Sequence, residues 1–152
     1  MTPEEHIQAT AELVVKEFGP ISGLGSAFGY NRASVEWLDD YIERSRNTGC
    51  FTAGQVETLA NNFARFLGEC IRNTYGGEWQ LRNGSWGVFF SDSSGALPYS
   101  KVRKQFNDGN SAGESVLSFF DVLPLILSGE LDRKNQSALA RLKAILGRWF
   151  GT

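Results

Sequence analysis

Apolar residues in the first part of the chain recur every three to four positions, the spacing of helices that bury one face. The first helix begins at a capping box formed by Thr2 and Glu5 and ends before Gly19. A second helix is predicted over about 32–46, with Asn31 as its cap. Each of these helices therefore has an apolar face that must pack on the rest of the chain.

The clearest local signal is the capping box of Thr52 and Gln55, which opens a long helix that runs to about Thr74. Large apolar residues cluster on one side of this helix, and polar residues fall on the other. The spacing places Glu69 on the polar side, between arginines at i−4 and i+3. This pattern is typical of a surface ion pair, and the alternative is a polar recognition face.

A hairpin follows this helix. Asn83-Gly84 lies between two runs of alternating polarity, and this dipeptide favours a two-residue type I′ turn joining strands 78–82 and 85–90. The turn fixes the register, and the predicted apolar pairs on one face are Trp79 with Val88 and Leu81 with Trp86. A short third strand is predicted over 96–98, where Pro98 suits a strand end.

Helical patterns return after the strands. Ser100 is the predicted cap of a short helix over 101–107, and a capping box at Ser111 opens the most apolar run of the chain. Pro124 is expected to kink or end that helix. Asp132 is the predicted cap of a last amphipathic helix.

The order of helices, then strands, then helices predicts an α+β fold rather than an alternating α/β sheet. We expect one globular domain over residues 1–152, with a small three-stranded antiparallel meander flanked by N-terminal and C-terminal helices. Hydrophobic residues make up 41% of the chain, and charged residues 21%, which is enough to bury a substantial core.

Composition and charge bear on location and partners. No run approaches the roughly 20 apolar residues of a membrane span, and the acidic start is unlike a secretory signal. We therefore expect a cytoplasmic protein without membrane contact. The net charge of −2 gives no electrostatic reason to expect nucleic acid. The acids concentrate in residues 1–60, with nine acids against four bases. This asymmetry fits either complementary packing of two parts or one charged face for a partner.

Few residues suit metal or nucleophilic chemistry. The sole histidine, His6, and two cysteines, Cys50 and Cys70, are too few for a Cys/His zinc site. The cysteines allow one disulfide, but Cys70 falls in an apolar stripe and is predicted to be a buried free thiol. The glycines of 19–30 follow a helix rather than a strand, so a flexible connector is favoured over a phosphate-binding loop. We expect no cofactor and no metal.

Enzymatic function is not indicated, because the motifs of serine hydrolases, zinc proteases and P-loop enzymes are absent. Chemistry that uses carboxylates alone stays open as the alternative. Its candidates are Glu69, Glu78 and Asp92. The alternative function is therefore a small-molecule-binding or carboxylate-dependent enzymatic domain.

Four short blocks of sequence occur in the middle of the chain. The first two are FLGECI at 66–71 and YGGEW at 75–79, and they are followed by LPYSKV at 97–102 and SVLSFF at 115–120. With these blocks, residues 52–127 resemble a group of small bacterial proteins of unknown function. The resemblance implies an immunity-type protein, which binds and neutralises a toxin delivered between competing bacteria. The charge balance is not strongly acidic, so a nuclease toxin is not specifically favoured.

A protein partner, such as a toxin, would need an exposed surface with aromatic anchors and charge. One side of the second helix carries both kinds of residue and is predicted to be exposed. The predicted partner-binding residues are Trp37, Asp39, Asp40, Tyr41 and Glu43.

Overall fold

The computed structural model describes residues 1–127, which form five helices and a three-stranded sheet. The elements in chain order are α1 (Pro3–Phe18), α2 (Arg32–Thr48), α3 (Ala53–Tyr75), β1 (Glu78–Arg82), β2 (Ser85–Phe89), β3 (Gly95–Ala96), α4 (Pro98–Asp108) and α5 (Val116–Leu127). The predicted α+β fold, with helices on both sides of the strands in the sequence, is confirmed. The helix predicted from Asp132 lies outside the described residues. Within residues 1–127, no helix has the length and apolar character to cross a membrane.

The helix starts in the first half follow the predicted caps. Thr2 and Thr52 each accept a hydrogen bond from the backbone three residues on, and the side chains of Glu5 and Gln55 complete both capping boxes. Asn31 caps α2 in the predicted way. These caps satisfy backbone N–H groups that have no partner inside their own helix.

The sheet order is β1-β2-β3, and both strand pairs are antiparallel. Asn83 and Gly84 have φ angles of 52° and 77°, as a type I′ turn requires. The predicted register is confirmed, with Trp79 opposite Val88 and Leu81 opposite Trp86. The shared apolar face is buried only in part, because Leu81 lies near the hairpin tip and is 56% exposed.

Helix α3 is the centre of the fold. It packs against α1 and α4 and carries the largest group of fully buried side chains. These residues of α3 are Ala60, Phe63, Phe66, Leu67, Cys70 and Ile71. The sheet contributes Trp79 and Val88 to the same core. The apolar stripe predicted from the sequence is therefore the face around which the other elements assemble.

Three predictions around α4 and α5 were wrong in detail. Pro98 occupies the first turn of α4 instead of ending a strand, since its fixed φ suits that position. Ser100 consequently lies inside the helix and caps nothing. The cap of α5 is Ser115 rather than Ser111, with the Ser118 N–H donating to the Ser115 hydroxyl at 3.1 Å.

Helix α5 continues past its proline. Pro124 lies inside the helix, which reaches Leu127. Of the two effects predicted for Pro124, a kink or an end of the helix, the end is therefore excluded, and the helix tolerates the missing N–H at one position.

Candidate functional site

The aromatic residues predicted to bind a partner lie half-buried against the core. Trp37 and Tyr41 stack with ring centroids 5.0 Å apart, and both contact Phe18. Trp37 also meets Phe28 edge-on at 5.1 Å. These rings join α2 to α1 and the connector, so much of their surface is used within the fold.

The acidic residues of the same helix divide into two kinds. Asp39 is 8% exposed and accepts hydrogen bonds from the Ser115 hydroxyl at 2.6 Å and the Leu117 N–H at 3.2 Å. Glu43 accepts from the backbone N–H of Asn110 at 3.0 Å. Asp40 is exposed and pairs with an arginine on its own helix. The expectation that this side of α2 is exposed was therefore wrong for Asp39, whose carboxylate caps the start of α5.

Of the three carboxylates considered for catalysis, Glu78 and Asp92 line one depression, and Glu69 lies apart from them. Glu69 is 9% exposed, and its Oε2 accepts from Trp79 Nε1 at 2.9 Å and Arg72 at 2.8 Å. The prediction that Glu69 lies on the surface was wrong, because the hairpin packs over that side of α3. Glu78 and Asp92 line a depression on the outer face of the sheet. Glu69 is not among the residues that line it.

The candidate functional site is a groove between α1, α3, the hairpin and α4, with a cavity volume of about 590 Å³. We call it the aromatic groove. The residues that give the groove its chemical character come from these four segments, and they are His6, Arg65, Trp79, Trp86, Leu97 and Tyr99.

The indole of Trp79 forms the floor of the aromatic groove and is held firmly. It packs directly on Gly68, where a Cβ atom would lie 2.1 Å from the ring. Its Nε1 donates to Glu69, so the indole is fixed in position and orientation. Trp86 is half-buried beside it and packs on the same core. The groove therefore has a preformed aromatic surface.

The rim of the aromatic groove next to α4 is apolar and accessible. Leu97 is 44% exposed and Tyr99 is 38% exposed. The Tyr99 hydroxyl donates a short hydrogen bond to Glu57, and Arg103 lies 3.5 Å from the same carboxylate. The bond to Glu57 raises the pKa of Tyr99. This contact restrains the phenol ring while one face stays open.

The polar side of the aromatic groove comes from the first and third helices. Arg65 is half-buried, and its Nη1 lies 3.5 Å from the Thr10 hydroxyl. His6 is exposed at the groove edge. Sequence reasoning missed this site because its residues come from four distant segments. The sequence feature that could have indicated this site is the apolar pair of Leu97 and Tyr99, which lies in a mostly polar stretch.

The structure tests the prediction made for the cysteines. Cys70 is buried and free, as predicted, and Cys50 is exposed and free. Burial raises the pKa of Cys70 well above its ordinary value. In the described part of the chain, no three His, Cys, Asp or Glu residues are grouped so as to hold a metal ion.

Comparison with known proteins gives no relative from which a role for this groove could be transferred. No protein-family model, curated protein or solved structure matches the chain.

Proposed function

We propose that this chain is a protein-binding module of the immunity type, which binds and neutralises a cognate bacterial toxin through the aromatic groove. The observation that carries the proposal is the makeup of that groove. Tryptophan, tyrosine and arginine are the residues most enriched where protein interfaces gain their affinity. The aromatic groove combines all three in Trp86, Tyr99 and Arg65.

The restraint on these side chains also supports recognition of a macromolecule. Binding costs less conformational entropy when the contact surface is already ordered. Trp79 is fixed on α3, and Tyr99 is restrained by Glu57. The accessible apolar rim at Leu97 and Tyr99 then supplies surface that a partner would remove from water.

The toxin-directed part of the proposal rests on the sequence resemblance of residues 52–127. That segment supplies α3, the hairpin and α4, which form most of the aromatic groove. The role predicted for the α2 residues becomes secondary in this proposal. Of that set, Asp40 alone is exposed, and the other four side chains are buried or half-buried.

A small-molecule site is the second candidate, and the size of the aromatic groove favours it. Ligand pockets commonly measure about 300–1,000 Å³ and combine apolar walls with a few polar groups. The cavity of about 590 Å³ falls within this range. Binding of a low-molecular-weight compound with no protein partner would select this alternative.

The test is capture of partners by the tagged full-length chain from the organism that encodes it, followed by mass spectrometry. We expect one protein at near-stoichiometric amounts, whose expression alone arrests growth and whose toxicity the chain relieves. A non-toxic partner would overturn the immunity assignment and keep the binding module. Absence of any partner would overturn both.

A matched pair of variants locates the interface. The double variant Leu97→Ala/Tyr99→Ala should weaken capture at least tenfold, since two accessible anchors are lost. Leu13→Ala removes a similarly exposed leucine, 54% accessible, from α1. It should leave capture unchanged. Equal behaviour of the two variants would exclude the aromatic groove as the interface.

A further inference from the structure

Among the arginines of residues 1–127, Arg65 and Arg82 are the two without a carboxylate partner, and Arg65 has the fewer contacts of the two. The other five have a nitrogen within 4.0 Å of a carboxylate oxygen, and these are Arg32, Arg44, Arg46, Arg72 and Arg103. Arg82 bonds to an amide and a carbonyl oxygen and lies over an aromatic ring. Arg65 Nη1 lies 3.5 Å from the Thr10 hydroxyl, a long contact with an uncharged group.

The reason lies in the competition for Glu69. At i+4 on the same helix, Glu69 is the natural ion-pair partner of Arg65. Its Oε2 instead binds Arg72 at 2.8 Å and the Trp79 indole at 2.9 Å. Glu69 therefore holds the Trp79 indole at the floor of the aromatic groove. The guanidinium of Arg65 keeps N–H donors that no carboxylate of the described residues engages.

The surroundings of Arg65 favour an anion. A guanidinium has five N–H donors in a planar fork that matches a carboxylate. None of the described residues that line the aromatic groove is acidic, and His6 adds a second basic group at its edge. A charge-assisted hydrogen bond between a guanidinium and a carboxylate is roughly twice as strong as one between neutral groups.

We propose that the aromatic groove receives an aspartate or glutamate side chain of the protein partner, flanked by apolar or aromatic residues, with its carboxylate on Arg65. This inference rests on the proposed function and defines the chemistry of the partner segment. The carboxylate supplies the ion pair that Arg65 lacks. The flanking side chains cover Trp86, Leu97 and Tyr99.

Two capped tripeptides test this directly: acetyl-leucyl-aspartyl-phenylalaninamide and its asparaginyl counterpart, which has the same shape without the charge. Each is titrated into the 15N-labelled full-length chain. Trp79 and Trp86 both line the aromatic groove, so their indole N–H resonances report on binding there. We expect those two signals to shift, with the aspartyl peptide binding about tenfold more tightly.

Arg65→Gln should abolish this preference, and Arg44→Gln should keep it, since it removes the same charge from an exposed site on α2. Equal affinity of the two peptides for the unmodified chain would overturn the inference without depending on any variant. If a toxin is captured but Arg65→Gln leaves its affinity unchanged, the acidic anchor is refuted and the proposed function stands. If no protein is captured, the proposed function fails independently.

Discussion

Replacing Gly68 by alanine would place a methyl group where the indole of Trp79 lies. The added Cβ would be 2.1 Å from two ring atoms, far inside van der Waals contact. The indole must then move by more than an ångström or the helix must shift. Either movement disturbs the hydrogen bond between Trp79 Nε1 and Glu69, which is 2.9 Å long.

Three contributions set the size of the effect. Overpacking a core position costs about 1–3 kcal/mol, and loss of a hydrogen bond to a charged group costs about 1.5–3 kcal/mol. Alanine in a helix interior gains about 1 kcal/mol over glycine. We therefore expect Gly68→Ala to lower the free energy of unfolding by about 1.5–5 kcal/mol.

Urea unfolding followed by circular dichroism and tryptophan fluorescence measures this quantity. The matched control is Gly54→Ala in the first turn of α3, where the nearest atom to an added Cβ is 4.0 Å away. That variant should be as stable as the parent or gain up to about 0.5 kcal/mol. If Gly68→Ala behaved like the control, Trp79 would not be fixed on α3, and the preformed groove floor would be refuted.

Three further predictions concern a cap, a thiol and a phenol. Asp39→Asn should lower the free energy of unfolding by about 2 kcal/mol, because Asp39 caps α5, whereas Asp40→Asn should change it by less than about 0.5 kcal/mol. In the folded chain, a thiol reagent should label Cys50 rapidly and leave Cys70 unmodified, since Cys70 is buried with a raised pKa. Burial raises the pKa of Tyr30 to about 12, so its stabilising contribution is complete below pH 10 and lost as the pH rises from 10 to 12. Tyr30→Phe should make the unfolding free energy less dependent on pH in that window.

Each of these has a distinct contrary result. Equal stability of the Asp39→Asn and Asp40→Asn variants would show that the cap of α5 is dispensable. Labelling of both cysteines at one rate, read by mass spectrometry, would contradict the burial of Cys70. An unchanged slope of stability against pH in Tyr30→Phe would mean that another group titrates there.

Local chemistry explains what could be predicted from the sequence. The Thr52 capping box and the Asn83-Gly84 turn depend on a few neighbouring residues, so helix start and hairpin register were both readable. The cap of α5 was misplaced because Ser111 and Ser115 both precede the apolar run of this helix, so either serine could cap its start. The choice between them depends on Asp39, which reaches Ser115 from a distant helix.

The groove and the burial of Glu69 depend on contacts that periodicity does not encode. A helical wheel places Glu69 among polar neighbours, and nothing local indicates that a tryptophan ten residues later packs over it. Leu81 shows the opposite case: alternation predicts a buried residue, but Leu81 is exposed close to the Asn83-Gly84 turn. Long-range packing decides both outcomes.

The hydrogen bonds that Asp39 accepts from the start of α5 bear on the order in which the chain folds. Asp39 and Ser115 are 76 residues apart, whereas Glu69 and Trp79 are separated by 10. Closing the longer loop costs more entropy, so the contact between α3 and the hairpin can form first. Docking of α5 is then a late step, and its amide protons should exchange with solvent through a partial opening that leaves α3 protected.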